Sequence, residues 1–233
     1  MIVVGAMAVV VVAWSWPGAQ GTIQSTRLAA LNRGIATGVS GSERAVDARY
    51  AAILKADPKK SFFGVPIQGE TIGYVVDSDV TMLPYYQHLA NIIQTLNGGL
   101  ATSSRRFGIV EATGATQGQK AQKIYRPSND LAGATTVLDN MPATVLTDLP
   151  RALAVTEGWY ADQVFLVLSK HIDQDQIDLL TQNAQQTGAV TNVIAFGQAA
   201  KQDLSPIAKA TGGTFVPVND RLLAAVARRA ADH

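Results

Sequence analysis

The chain has 233 residues, of which 47% are hydrophobic and 16% are charged, and its formal net charge is +1. This composition excludes an intrinsically disordered chain and is typical of a folded domain with a sizeable buried core. The near-neutral charge, without a cluster of Lys and Arg, argues against a nucleic-acid surface, and the absence of cysteine excludes disulfides and cysteine-ligated zinc.

The first seventeen residues predict a membrane anchor. Residues 1–16 are almost wholly apolar, and Trp14 and Trp16 stand at the end of this stretch, as aromatic residues do at a membrane interface. Sixteen helical residues span about 24 Å against a hydrocarbon core of about 30 Å, so the span is short. A cleaved signal peptide and a buried apolar segment are the alternatives. We expect a single-pass anchor with the domain on the extracytoplasmic side, although the nearest basic residues follow the segment and oppose that orientation.

Residues 18–61 predict a linker that is partly helical, because this stretch is rich in Ala, Gly, Ser and Thr. A helix is expected from Ser42 to Lys55, ended by Asp57-Pro58. Its partial apolar stripe consists of Ala45, Ala48, Tyr50, Ala52 and Ile53. The folded domain is therefore expected over residues 62–233.

Strands alternate with helices in the rest of the chain. Short apolar runs predict strands over residues 71–76, 106–111, 123–125, 164–168, 190–196 and 214–218. Helical spacing and capping patterns predict helices over residues 83–96, 129–140 and 173–186, and from residues 148, 205 and 220 onward. This alternation predicts an α/β fold, with a doubly wound, mostly parallel, Rossmann-like sheet and helices on both faces.

Several helix ends are predicted by single residues. Asn97-Gly98-Gly99 is expected to stop the helix that starts at residue 83. Asp173 and Gln176 form a capping-box pattern, Thr147 or Asp148 is expected to cap one helix, and Asp220 the last one.

An acidic and hydroxyl-rich cluster follows the first predicted strand. Asp77, Asp79 and Thr81 come directly after the apolar run that starts at Thr71. In open α/β sheets, ligands bind just beyond the carboxyl ends of the strands. These side chains are therefore expected at the ligand site.

The segment Asp77-Ser78-Asp79-Val80-Thr81 resembles, in degenerate form, the Asp-x-Ser-x-Ser motif of von Willebrand factor type A (VWA) domains. Later segments follow in that family's order, namely residues 106–111, 147–153, 164–169 and 207–215. The resemblance covers about residues 64 to 230. It implies the VWA fold, a protein ligand, and a metal-ion-dependent adhesion site at the top of the sheet.

The cation site departs from the family pattern at one position. The resemblance makes Asp77, Asp79, Thr81 and Thr147 the candidate oxygen ligands, but Lys170 stands where metal-binding members have an aspartate. Because two carboxylates at one corner repel each other, we expect the ammonium of this lysine to replace the cation and pair with both aspartates. No cofactor is then required.

The alternative is a cation-dependent adhesion module that binds Mg²⁺ or Mn²⁺ through the same four residues, with Lys170 pointing to solvent. Structural roles are also open. In this reading Asp79 serves as a helix cap and Thr81 bonds to the backbone, and neither binds a ligand. His171 is expected to be an exposed loop residue.

The sequence thus predicts a membrane-anchored module that binds a partner protein or serves as a scaffold, with an oligomeric, membrane-associated assembly as its expected context. Its expected binding face consists of Asp77, Ser78, Asp79, Thr81, Thr147, Asp148, Ser169, Lys170 and His171. An α/β hydrolase is the second alternative. No enzyme is expected, because Gly38-Val39-Ser40-Gly41-Ser42 misses the nucleophile-elbow pattern and residues 114–120 miss the phosphate-loop spacing.

Overall fold

The structure is a computed structural model that describes residues 41–100, 105–114, 124–128 and 146–232, with positions 133, 136, 137 and 140. The predicted anchor over residues 1–17 lies outside the described residues. So do residues 18–40 of the predicted linker, most of the predicted helix over residues 129–140, and most of residues 114–120, which were compared with a phosphate loop. Within the described ranges, no helix has the length and apolar character needed to cross a membrane.

The described chain is built on a six-stranded, mostly parallel sheet, as predicted. A short hairpin precedes it, formed by β1 (Ser61–Phe62) and β2 (Val65–Pro66). The sheet strands are β3 (Thr71–Asp77), β4 (Arg106–Ala112), β5 (Ile124–Ser128), β6 (Gln163–Leu168), β7 (Val190–Ala195) and β8 (Phe215–Pro217). Their order is β5-β4-β3-β6-β7-β8, and only the edge strand β5 is antiparallel to its neighbour.

One strand differs from its predicted bounds in an instructive way. The third sheet strand was expected to end before Pro127, but β5 runs through this residue to Ser128. A proline cannot donate a hydrogen bond to a neighbouring strand, and edge strands tolerate this loss. β5 lies at the edge of the sheet, so Pro127 fits there.

Helices pack against both faces of the sheet. They are α1 (Gly41–Lys55), α2 (Leu83–Leu100), α3 (Leu149–Val155), α4 (Gln174–Thr187), α5 (Ser205–Lys209) and α6 (Asp220–Ala231). Side chains of α2 and α6 share one hydrophobic cluster with Ile72 and Tyr74, and side chains of α3, α4 and α5 share another with Val75. Successive strand residues point to opposite faces, so a sheet covered on both sides needs continuous apolar strands.

The hairpin and the end of α1 belong to the core. Phe62 is fully buried, with ring centroids 5.3 Å from Tyr74 and 5.0 Å from Phe165. Ile53 of α1 is buried in the same cluster. The compact unit that contains the sheet comprises Ala48–His233.

The apolar stripe predicted for α1 is only partly correct. Ala48 and Ala52 are exposed, whereas Tyr50, Ile53 and Leu54 pack on the core. The alanines bury too little surface to fix the orientation of the helix, and the larger side chains decide it.

Two of the predicted helix ends are wrong. α2 continues through Asn97-Gly98-Gly99 to Leu100, and Leu96 and Asn97 are buried. Packing of this turn outweighs the weak helix propensity of glycine. The cap of α6 is Asn219, whose side chain accepts a hydrogen bond from the Leu222 amide, and not Asp220.

Two other capping predictions are confirmed. Asp148 caps α3 by accepting a hydrogen bond from the Arg151 amide at 3.0 Å. Asp173 and Gln176 form both hydrogen bonds of a capping box at the start of α4, which ends at Gly188.

Candidate functional site

The candidate site lies where the strand order reverses. β3 and β6 are neighbours, but the chain continues from β3 to β4 on one side and from β6 to β7 on the other. The loops that follow the two strands diverge at this point, and open α/β sheets bind ligands in the resulting crevice. We call the region formed by Asp77–Thr81, Thr147 and Ser169–Lys170 the corner.

The loop after β3 is held by its own carboxylates. Asp77 is fully buried, and its Oδ1 accepts a hydrogen bond from the Asp79 amide at 3.2 Å. Asp79 caps the short 3-10 turn Val80–Met82, since its Oδ1 accepts hydrogen bonds from the Thr81 amide at 2.9 Å and the Thr81 hydroxyl at 2.8 Å. The capping role considered for Asp79 is therefore present in the structure.

Side chains from three loops meet at the corner. The hydroxyl oxygens of Thr81 and Ser169 lie 2.6 Å apart. The Lys170 ammonium donates a hydrogen bond to the Thr147 hydroxyl, and its Nζ lies 3.9 Å from Asp79 Oδ2. The lysine side chain therefore points into the corner.

The electrostatics of the corner are set by buried carboxyl groups. The pKa of Asp77 is raised to about 6, first of all by burial. The nearby Lys170 charge, the Asp79 amide and the Thr147 side chain offset part of this rise, and the Asp79 charge adds to it. The buried Tyr86 hydroxyl donates a hydrogen bond to the Asp77 carbonyl at 2.9 Å. Burial raises the pKa of Tyr86, and the charges of Asp77, Glu111 and Asp79 raise it further. Negative charge thus lies beneath the corner, with the lysine above it.

Exposed apolar side chains border this polar centre. Val80, in the turn that holds Thr81, is 44% exposed, and Leu83, directly after this turn, is 56% exposed. Leu146, 51% exposed, directly precedes Thr147. We call these three residues the apolar rim.

Not every residue of the predicted binding face reaches the surface. Asp77 and Ser78 are fully buried, and the Ser78 hydroxyl donates a hydrogen bond to the Ala112 carbonyl at 3.0 Å. Ser169 is buried, and its hydroxyl contacts the hydroxyl of Thr81. His171 is exposed, as predicted, and its Nε2 lies 3.3 Å from the Gln202 amide nitrogen, away from the corner.

Next to the corner lies a cleft that the sequence did not predict. It has a volume of about 450 Å³, and Thr81 and Ser169 are in its wall together with Tyr85, Lys201 and Asp220. A second cleft of about 380 Å³ shares Tyr85 and Asp220. The available signal was positional, because Tyr85 follows the first sheet strand and Asp220 the last one, both at the carboxyl edge of the sheet.

No protein-family model matches the chain, and no curated protein matches it. In the part of the chain that the structure describes, no three His, Cys, Asp or Glu side chains are grouped so that they could hold a metal ion.

Proposed function

We propose that this protein is a membrane-anchored module of the VWA type that binds a partner protein at the corner without a metal ion. Three features of the fold support this proposal. The strand order changes direction between β3 and β6, the edge strand β5 is antiparallel to β4, and polar loops meet where the order changes direction. Fold alone gives no function, so the argument depends on the corner itself.

The observation that carries the proposal is the position of the Lys170 ammonium, between the Thr147 hydroxyl and the Asp79 carboxylate. Two unit charges about 4 Å apart near a protein surface interact by about 4 kcal/mol before the cost of desolvation is subtracted. A divalent cation in the same place would face this positive charge. The donor set therefore does not fit Mg²⁺ or Mn²⁺ while the lysine side chain keeps this position.

The available oxygen atoms also argue for a metal-free corner. Asp79 Oδ1 already accepts two hydrogen bonds from Thr81, and the Thr81 hydroxyl also contacts Ser169. Coordination of a cation would break this arrangement. The corner holds itself together through its own hydrogen bonds and its ion pair.

The surface around the corner suits a protein partner. Protein interfaces combine a desolvated apolar area with a limited number of hydrogen bonds. Here the apolar rim of Val80, Leu83 and Leu146 borders a centre of hydroxyl and charged groups. Binding would bury the rim and exclude water from the Lys170–Asp79 pair.

A cation-dependent adhesion module remains the second candidate, and one observation favours it. Asp77 Oδ2 is buried and has no hydrogen-bond partner among the described residues. An unpaired carboxylate oxygen at this place could bind a cation if Lys170 moved away.

Site-specific photocrosslinking in native membranes tests the partner interaction. A photoreactive residue at position 83 should capture a defined partner, and Leu83→Lys should abolish capture by a photoreactive residue at position 80. The matched control is Leu179→Lys on α4, because Leu179 is 46% exposed and belongs to another helix. Capture that survives EDTA supports the metal-free proposal. Loss in EDTA favours the cation-dependent module, and equal capture by both lysine variants would contradict binding at the corner.

Thermal unfolding with metal ions tests the role of Lys170. Unfolding of the wild type should be unchanged between EDTA and millimolar Mg²⁺ or Mn²⁺. Lys170→Asp adds a carboxylate and removes the ammonium, so it should create a cation site. At a metal concentration one hundred times the dissociation constant, stabilisation of about 2.7 kcal/mol is expected, a shift of a few degrees. Stabilisation of the wild type with none in the variant would contradict the proposal.

A further inference from the structure

The two clefts beside the corner adjoin at two shared residues, and we call them the two lobes of one groove. The first lobe, about 450 Å³, extends from Ser169 to Lys201, and the second, about 380 Å³, includes His88 and Leu223. Tyr85 and Asp220 are in the walls of both lobes, so they mark the junction. Volumes of this order accommodate a large side chain and the adjoining backbone of a bound segment.

The aromatic ring at the junction is held in place by a neighbouring ring. The Tyr85 ring stacks on Phe196, with centroids 4.7 Å apart and an interplanar angle of 21°. This contact covers one face of the Tyr85 ring and fixes the orientation of the ring. Partial burial raises the pKa of Tyr85, and the nearby negative charge of Asp220 raises it further.

The first lobe is kept open by a glycine. Gly197 has a φ of +50°, a conformation that side chains rarely adopt. A Cβ atom at this position would lie 3.3 Å from the Tyr85 hydroxyl and from the Ser169 carbonyl oxygen. The residue therefore allows the loop after β7 to approach the tyrosine without filling the groove.

Asp220 supplies an accessible negative charge at the junction. Its side chain is exposed, and it takes part in none of the ion pairs made by the described residues. An exposed carboxylate beside a fixed aromatic ring is a combination that suits a planar cation. A guanidinium group can stack on a tyrosine and form paired hydrogen bonds with a carboxylate, whereas an ammonium group offers no planar surface.

We propose that the Tyr85–Asp220 junction binds an arginine side chain of the partner protein. The guanidinium lies between the free side of the Tyr85 ring and the Asp220 carboxylate, and the adjoining partner backbone occupies the two lobes. Lys201 faces the first lobe and complements a carbonyl or carboxylate of the same segment. This inference rests on the proposed function, because it takes the ligand to be part of a protein.

Tyrosine-selective NMR on the full chain tests this site with a defined probe. The chain has six tyrosines, and Tyr85→Phe identifies the signal of Tyr85. Titration with N-acetyl-arginine methylamide should shift the Tyr85 ring signal in a saturable manner. The uncharged analogue N-acetyl-citrulline methylamide, which has nearly the same shape, should bind more weakly, as should N-acetyl-glutamate methylamide.

Two other tyrosines provide internal controls. Tyr160 is 89% exposed and would report non-specific stacking of guanidinium on any accessible ring. Tyr74 is fully buried, so an unchanged Tyr74 signal shows that a variant keeps its fold. Asp220→Asn should weaken binding of the arginine probe by at least about threefold, since it removes the ionic contact.

The arginine assignment is overturned by any of three results. These are equal shifts at Tyr160 and Tyr85, equal affinity for the citrulline probe, and unchanged affinity in a folded Asp220→Asn variant. Such results would leave the comparison of Leu83→Lys with Leu179→Lys untouched. Equal partner capture by those two variants would instead contradict the proposed function, while arginine binding to the groove would stand as a separate measurement.

Discussion

The hydroxyl oxygens of Thr81 and Ser169 lie 2.6 Å apart and join the loops that follow β3 and β6. The Thr81 hydroxyl donates its proton to Asp79 Oδ1 and accepts from the Ser169 hydroxyl, so a chain of hydrogen bonds extends from the Asp79 carboxylate to a hydroxyl of the neighbouring loop. Ser169 is buried, and a buried hydroxyl without a partner is costly. The contact therefore fixes the geometry of the corner.

Thr81→Val should destabilise the protein by about 1 to 2 kcal/mol, because the Ser169 hydroxyl and Asp79 Oδ1 each lose a partner while the shape of the side chain is kept. Chemical denaturation with urea measures this change. Thr81→Ser keeps the hydroxyl and should retain most of the stability. Equal unfolding free energies for the two variants would show that the hydroxyl contact does not stabilise the corner.

The aromatic cluster under the sheet predicts a large effect of one hairpin residue. Phe62→Ala should cost about 3 to 5 kcal/mol, because it removes a fully buried ring that packs on Tyr74 and Phe165. The control Tyr160→Ala removes an exposed ring and should change stability by no more than about 0.5 kcal/mol. Calorimetry of both variants measures the difference. A loss below about 1 kcal/mol for Phe62→Ala would mean that the hairpin is not part of the cooperative core.

The sheet could be predicted because its signal is local. The unbroken apolar run from Val164 to Leu168 has the length of a strand and lacks alternation, which indicates burial on both faces, and β6 is a central strand. Helix ends were less predictable, since the Gly98-Gly99 pair is overridden by packing of the buried turn before it. A local pattern cannot report such tertiary contacts.

The candidate site could be predicted only in part, for a related reason. The position of Asp77 to Thr81 follows from the end of one strand, so local reasoning finds it. The groove depends on Tyr85 and Asp220, which are far apart in the chain and meet only because α2 and α6 pack on the same face of the sheet. The direction of the Lys170 side chain likewise depends on the Thr147 loop, which no pattern near the lysine reveals.

The unexpected length of α2 gives a prediction with the opposite sign. Gly98 is exposed within the helix, so Gly98→Ala should stabilise the protein by about 0.5 to 1 kcal/mol through the higher helix propensity of alanine. Gly197→Ala is the matched control and should destabilise, because Gly197 has a positive φ. Thermal unfolding compares the two variants. Destabilisation by Gly98→Ala would indicate that the helix ends before this residue.

The buried Asp77 carboxyl predicts a specific pH dependence of stability. Its pKa is raised from an ordinary value of 3.8 to about 6, first of all by burial. A raised pKa in the folded state means that the folded protein holds the proton more tightly than the unfolded chain does. The contribution of Asp77 to stability is therefore fully present below about pH 4 and is lost as the pH rises through about 6.

Asp77→Asn removes this titration and keeps the shape of the side chain. The unfolding free energy of the variant relative to the wild type should therefore rise by about 2 to 3 kcal/mol between about pH 3.5 and 7.5. Asp162→Asn is a control of opposite sign. Hydrogen bonds from the Thr71 and Glu70 amides lower the pKa of Asp162, so its contribution is present above the ordinary pKa and is lost as the pH falls. Urea denaturation across this pH range measures both variants, and parallel curves for Asp77→Asn and the wild type would mean that Asp77 titrates as an ordinary carboxyl.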